Sequence, residues 1–194
     1  MSEMASDSEL ACVEAWYYNP SGEDSRLPHQ YDPNRPVPPH HLTELGVLIW
    51  ELDADHYDNN PQLEKIKKDR GYNYSDIVTV APGMMEDYDA KIKHFFTEHL
   101  HAQEEIRFVL EGGGYFDVRD YDETWIRFRI RKGHLIVLPP GMYHRFTLDT
   151  NNYVKAMRLF MGLPCWTQHQ RPADDMEARR TYIAKVLNNS IAAQ

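Results

Sequence analysis

The chain has 194 residues, room for one domain with a sizeable core and crowded for two. Its 30 acidic and 21 basic residues give a formal net charge of −9 with no basic block, which argues against nucleic acid or an anionic membrane as the main partner. No apolar run approaches the roughly 20 residues of a membrane span, so no membrane insertion is expected.

Residues 1–12 read as a loose tail, followed by a single domain over 13–187 and a second tail over 188–194. Val13–Tyr18 is a short apolar strand closed by Asn19-Pro20-Ser21-Gly22. The proline-rich stretch Leu27–Pro39 predicts an irregular extended arm, and His41–Leu48 a short helix. Asn60-Pro61 opens another helix, which Gly71 ends. Ile77–Val80 is a strand candidate. Over Glu86–Thr97 the apolar stripe Tyr88, Ile92, Phe95 and Phe96 predicts a helix.

From His99 onward the period changes to two. Ile106–Leu110, Tyr115–Arg119, Trp125–Arg131, Leu135–Leu138, His144–Leu148 and Tyr153–Met161 are strand candidates. Turn signals separate them, Gly112-Gly113-Gly114 among them. In Trp125–Arg131 the alternation places Ile126, Phe128 and Ile130 inward and Arg127, Arg129 and Arg131 outward. Closely spaced strands without intervening helices predict a mainly β fold, an antiparallel jelly-roll barrel with peripheral helices. Asp174–Asn188 reads as a closing helix. Cys12 and Cys165 lie far apart and read as free thiols, and the polar start is unlike a leader, so a cytoplasmic location is expected.

Two motifs carry the chemistry. The first is His99-x-His101-x-x-x-Glu105, with six residues before Gly112; the second is Gly133, five residues, Pro139-x-Gly141, two residues, His144. On an extended strand residues i and i+2 share a face, so His99 and His101 can offer two imidazoles to one ion. Glu105 keeps their parity, which favours it over Glu104, and His144 arrives from a second strand. Three nitrogens and one carboxylate suit iron, nickel, manganese or zinc. Around a six-coordinate ion this set leaves two positions open. Lone histidines are more often satisfied structural residues, and His29, His40, His41, His56, His94 and His169 lack a partner at ligand spacing. His134 sits inside the second motif as a neighbour of the site.

These are the cupin motifs, whose barrel is a double-stranded β-helix. With Tyr115-Phe116-Asp117-Val118-Arg119-Asp120, Lys155-Ala156-Met157-Arg158-Leu159-Phe160 and Arg171-Pro172-Ala173-Asp174, the chain resembles the eukaryotic acireductone dioxygenases over residues 13–187. Leu148 and His134 depart from the general cupin pattern, which often has asparagine and aspartate there, but neither position is a ligand. The resemblance implies one Fe(2+) or Ni(2+) ion per monomer, held by His99, His101, Glu105 and His144, and acireductone and O2 as substrates in methionine salvage. It also adds the nucleus to the expected locations.

An enediol beside a carbonyl is a chelator, and its anionic oxygens want guanidinium donors. Arg107 shares the ligands' parity, and Arg158 sits in an apolar strand where an unpaired charge is costly. Both are candidates to contact the substrate, against an equal claim for structural ion pairs. Phe95, Phe146 and Trp166 are candidates to wall off the methylthio tail, although such aromatics are often simply core. The ligand set alone also permits a zinc or manganese isomerase or decarboxylase. A non-catalytic cupin binding module predicts eroded ligands, and here all four stand.

Overall fold

The computed structural model describes residues 13–188, so the expected tail over 1–12, Cys12 and the segment from 189 onward lie outside the described residues. The first half supplies β1 (Ala15–Tyr17), α1 (Pro39–Glu44), β2 (Leu48–Glu51), a 3₁₀ turn (Tyr57–Asn59), α2 (Pro61–Arg70), β3 (Tyr74–Val80) and α3 (Tyr88–Phe96). The barrel then continues through β4 (His99–Leu100), β5 (Glu105–Arg119), β6 (Trp125–Arg131), β7 (His134–Leu138), β8 (His144–Leu148), β9 (Val154–Phe160) and β10 (His169–Gln170). A short α4 (Glu177–Tyr182) runs into a π-helical turn (Ile183–Leu187). No helix among the described residues is long and apolar enough to cross a membrane.

All pairings are antiparallel. One sheet has the order β1-β6-β5-β8-β4-β10, and in the other β5 lies between β7 and β9, with β2 and β3 at the edges. The two sheets close the double-stranded β-helix that the cupin motifs imply. Strand β5 belongs to both, which corrects the sequence reading of Gly112-Gly113-Gly114 as a turn. Its first half pairs with β7 and β9, its second half with β6 and β8. The corner has to be glycine. Gly112 has φ of 69°, and a Cβ there would stand 2.1 Å from the Tyr153 carbonyl oxygen. Sequence composition is the same for a turn and for a strand that bends against another backbone.

Side-chain alternation fills the barrel. Val109, Phe116, Val118, Phe128, Ile130 and Ile136 belong to one buried cluster drawn from both sheets. A second cluster, with Trp50, Leu63, Ile66, Phe108, Leu135 and Leu159, packs α2 against the outer face of the second sheet. Asn60 caps α2, accepting from the Gln62 and Leu63 amides at 3.0 Å, a contact worth about 1 kcal/mol. Gly71 ends it in the left-handed conformation.

Three further expectations change. The helix expected over His41–Leu48 occupies Pro39–Glu44, because Pro39 can begin it and Gly46, at φ of 89°, breaks it. Leu48 onward instead pairs with β7, a tertiary contact that local propensity does not reveal. Arg127, expected outward on β6, is completely buried and bonded to Asp117 at 2.7 Å. In α3, Tyr88, Ile92 and Phe95 pack on the barrel core, while Phe96 lies beneath the Arg145 guanidinium at 4.1 Å.

Candidate metal centre

His99, His101, Glu105 and His144 converge at one end of the barrel, with one ligand atom from each lying within 4.8 Å of the others. Three backbone segments deliver them. His99 and His144 are cross-strand partners on β4 and β8, and Glu105 opens β5. His101 lies just past the end of β4, where the strand reading by parity does not extend. Its carbonyl accepts from the Gly141 amide at 2.9 Å, which ties the two motifs together. Gly141, at φ of 79°, sits where a Cβ would meet the Ala178 carbonyl oxygen at 2.2 Å, so the turn before His144 is built against α4.

Each imidazole is fixed from behind. The Nδ1 atoms of His99, His101 and His144 lie 2.7, 2.7 and 2.9 Å from the carbonyl oxygens of Thr97, Thr167 and Met142. A carbonyl can only accept, so each Nδ1 carries the hydrogen and each Nε2 presents a lone pair. The Nε2 atoms of His101 and His144 stand 2.9 and 3.1 Å from Glu105 Oε2. Lone pairs at such distances need a proton or a cation between them. Three neutral nitrogens and one carboxylate at one point are a fitting donor set for a divalent transition ion.

The charges agree with that geometry. Burial pushes the His99 imidazole down to about 3, with the neighbouring His144 adding to the shift, so His99 stays neutral. Burial opposes ionisation of Glu105. The Arg107 charge outweighs it, joined by His101 and His144 when a proton in place of the ion sits on their Nε2 atoms, and the carboxyl is held well below the usual range. Glu104 is engaged elsewhere, bonded to Arg70 and to the Tyr72 hydroxyl at 2.6 Å. His134 is buried on β7 with no hydrogen-bond partner at either ring nitrogen, outside the ligand group.

The centre opens into a cavity of about 470 Å³. Phe95, Phe146 and Trp166 all line it; the first two meet edge-on at 6.5 Å, and Trp166 is half-exposed at the rim. Arg107 Nη2 lies 3.4 Å from Glu105 Oε1, and its Nη1 donates to the Ile106 carbonyl at 2.9 Å. Arg158 also lines the cavity, but its Nε and Nη2 both donate to Asp76, at 2.7 and 2.6 Å, and the guanidinium stacks over Trp166. Sequence reasoning missed Asp76, because the strand candidate began at Ile77, three residues after the start of β3; the register Asp76↔Arg158 follows once β3 starts at Tyr74. It also missed the buried group behind His144. Asp117 accepts from Arg127 and, at 2.7 Å, from Arg145 Nε. An aspartate inside the apolar run Tyr115–Val118 was the available signal.

Residues 14–168 match the model of the ARD/ARD' family. The acireductone dioxygenase of Rattus norvegicus is 56% identical over 171 residues, covering 88% of this chain and 96% of the relative. Acireductone dioxygenase 2 of Oryza sativa subsp. indica is 52% identical over 188 residues, 97% and 95% of the two chains. Among solved structures, the acireductone dioxygenase from Bacillus anthracis, with a cadmium ion in its active center, superposes with a TM-score of 0.61. It is 20% identical, over 82% of this chain and 98% of that one, and shares the fold.

Proposed function

Since the chain belongs to the ARD/ARD' family, and so is a metal-dependent dioxygenase, we propose that its substrate is the acireductone 1,2-dihydroxy-5-methylthiopent-1-en-3-one, its co-substrate O2 and its single ion Fe(2+) or Ni(2+). The observation that carries this reading is the convergence of three Nδ1-anchored imidazoles and one carboxylate at the mouth of an apolar cavity. Held there, the ion supplies Lewis acidity and a template for a chelating enediolate.

The protein's own groups do the rest. The carbonyls of Thr97, Met142 and Thr167 keep the three Nε2 lone pairs aimed at one point. Arg107, with N–H donors beyond those given to Ile106 and Glu105, is the nearer guanidinium for an anionic substrate oxygen. Arg158 shares its fork with Asp76, so its contact with substrate runs through Nη1. Phe95, Phe146 and Trp166 supply apolar wall that excludes water from the reacting oxygens.

With iron the expected products are formate and 4-methylthio-2-oxobutanoate; with nickel, formate, carbon monoxide and 3-methylthiopropionate. The test is anaerobic reconstitution of metal-free protein with each ion, then oxygen addition and product analysis. Identical products from both forms would reject the metal-dependent switch. No oxygen uptake by either would reject this substrate.

A further inference from the structure

We propose that the protein also cleaves acireductones whose arm beyond the C3 carbonyl is longer than methylthioethyl, an alkyl or arylalkyl chain running down the barrel below the metal centre. The proposal rests on the function proposed above and extends its substrate class.

Strand register gives the depth. Along β5 the cavity wall runs from Glu105 at the metal layer to Val109, four residues on, or about 13 Å of strand. The facing sheet repeats that depth. His144 pairs with Val118 at the metal layer, and Leu148, four residues further, pairs with Gly114, which in turn faces Ile130. Ile130, Val109 and Val154 all line the cavity. The proposed substrate's arm beyond C3 has four heavy atoms, and four bonds of about 1.5 Å reach at most about 6 Å. With C3 about 3 Å from the ion that its oxygen would chelate, roughly a third of the depth lies beyond the tip.

Volume points the same way. The substrate's ten heavy atoms, even at the ~30 Å³ share of a liquid water molecule each, need at most about 300 Å³. The cavity offers about 470 Å³. Its deep wall is Val78, Val80, Val109, Ile130, Val154 and Ala156, without a charged side chain among them. Such a wall rewards added methylenes and has no polar group to desolvate.

The chemistry needs nothing new. For an arm R, R–CO–C(OH)=CHOH plus O2 gives R–CO–COOH plus HCOOH. The C1–C2 bond breaks, one oxygen atom joins each carbon, and the two enediol protons end on the two acids. O2 is the oxidant and R takes no part.

The experiment uses the iron-loaded protein and a series of synthetic acireductones, methylthioethyl first and then straight alkyl arms lengthened one methylene at a time. We expect kcat/KM to rise about three- to fourfold per methylene until the arm reaches the floor, then fall. Anaerobic calorimetry should give a heat-capacity change that grows more negative over the same range. Val109→Phe and Ile130→Phe should move the fall to shorter arms with metal content unchanged; should neither fold, the wild-type series alone decides. A tenfold fall in kcat/KM on the first added methylenes, with the methylthioethyl compound still cleaved, would overturn the proposal alone. Failure to cleave the methylthioethyl compound would overturn the function beneath it.

Discussion

Asp117→Asn isolates the charged group that backs the metal centre. Asp117 is buried, and its two oxygens accept from Arg127 Nε at 2.7 Å, Arg127 Nη2 at 3.0 Å and Arg145 Nε at 2.7 Å. Asparagine keeps the shape, removes the charge and turns an NH2 toward a guanidinium. Arg127 retains the Ser25 and Leu27 carbonyls, and both arginines retain the Tyr18 ring, but these contacts already exist and offset nothing. Breaking a buried pair from one side costs about 3–5 kcal/mol. At the lower end this lowers the melting temperature by roughly 6–12 °C for a chain of this size. Because Arg145 follows His144 on β8, opposite Asp117, metal affinity should also fall, by about tenfold. Calorimetric melting of metal-free protein and chelator competition measure the two effects. Adding Arg127→Met to the variant should recover more than 1 kcal/mol. A melting shift under 2 °C, or no recovery in the double variant, would refute the reasoning.

Glu105→Gln should strip most of the metal while keeping the fold, and Glu104→Gln should leave metal content intact; elemental analysis reporting the reverse would reassign the carboxylate. Arg107→Lys should raise KM for substrate with near-normal metal content and melting, because lysine keeps the charge and loses the planar fork. Arg158→Lys should lower stability as well, since it also breaks the two bonds to Asp76; equal melting curves for the two variants would contradict that division. Gly141→Ala should cost at least about 1–2 kcal/mol from the left-handed backbone alone, and more because α4 must shift away from the new methyl. Urea denaturation with an unchanged midpoint would show that the turn adapts freely.

The strands were legible where polar and apolar residues alternate over several positions. Trp125–Arg131 and His144–Leu148 occupy the bounds that their patterns indicate. Strands β2 and β10 were not read in advance, and the strand read through His99 and His101 shrinks to β4, His99–Leu100. Strands β4 and β10 have two residues each and exist through pairing with β8 and with one another. A pattern needs several residues to repeat, so a two-residue strand carries none. Arg127 illustrates the opposite failure. Its parity was read correctly as opposite to Phe128, but that side of the sheet is covered where the chain enters the extended arm, and the Ser25 and Leu27 carbonyls there accept hydrogen bonds from its Nη1. No pattern local to β6 says that a distant arm will cover it.

The candidate ligands were legible for a different reason: histidine and glutamate announce their chemistry by type, and the motif spacing brought them together before any geometry was known. Their supports do not announce themselves. Thr97, Met142 and Thr167 orient the imidazoles through main-chain oxygens, and Gly141 holds His101 through its amide. A backbone atom is present at every position, so nothing in those residues' side chains marks the role. What selects them is where the chain passes: Thr97 leaves α3, Met142 belongs to the glycine turn against α4, and Thr167 enters β10. The two very short strands and the closing helix therefore act on the metal centre through the placement of carbonyls. Side-chain replacement at Thr97, Met142 or Thr167 can leave those bonds in place, whereas a backbone shift at Gly141 cannot.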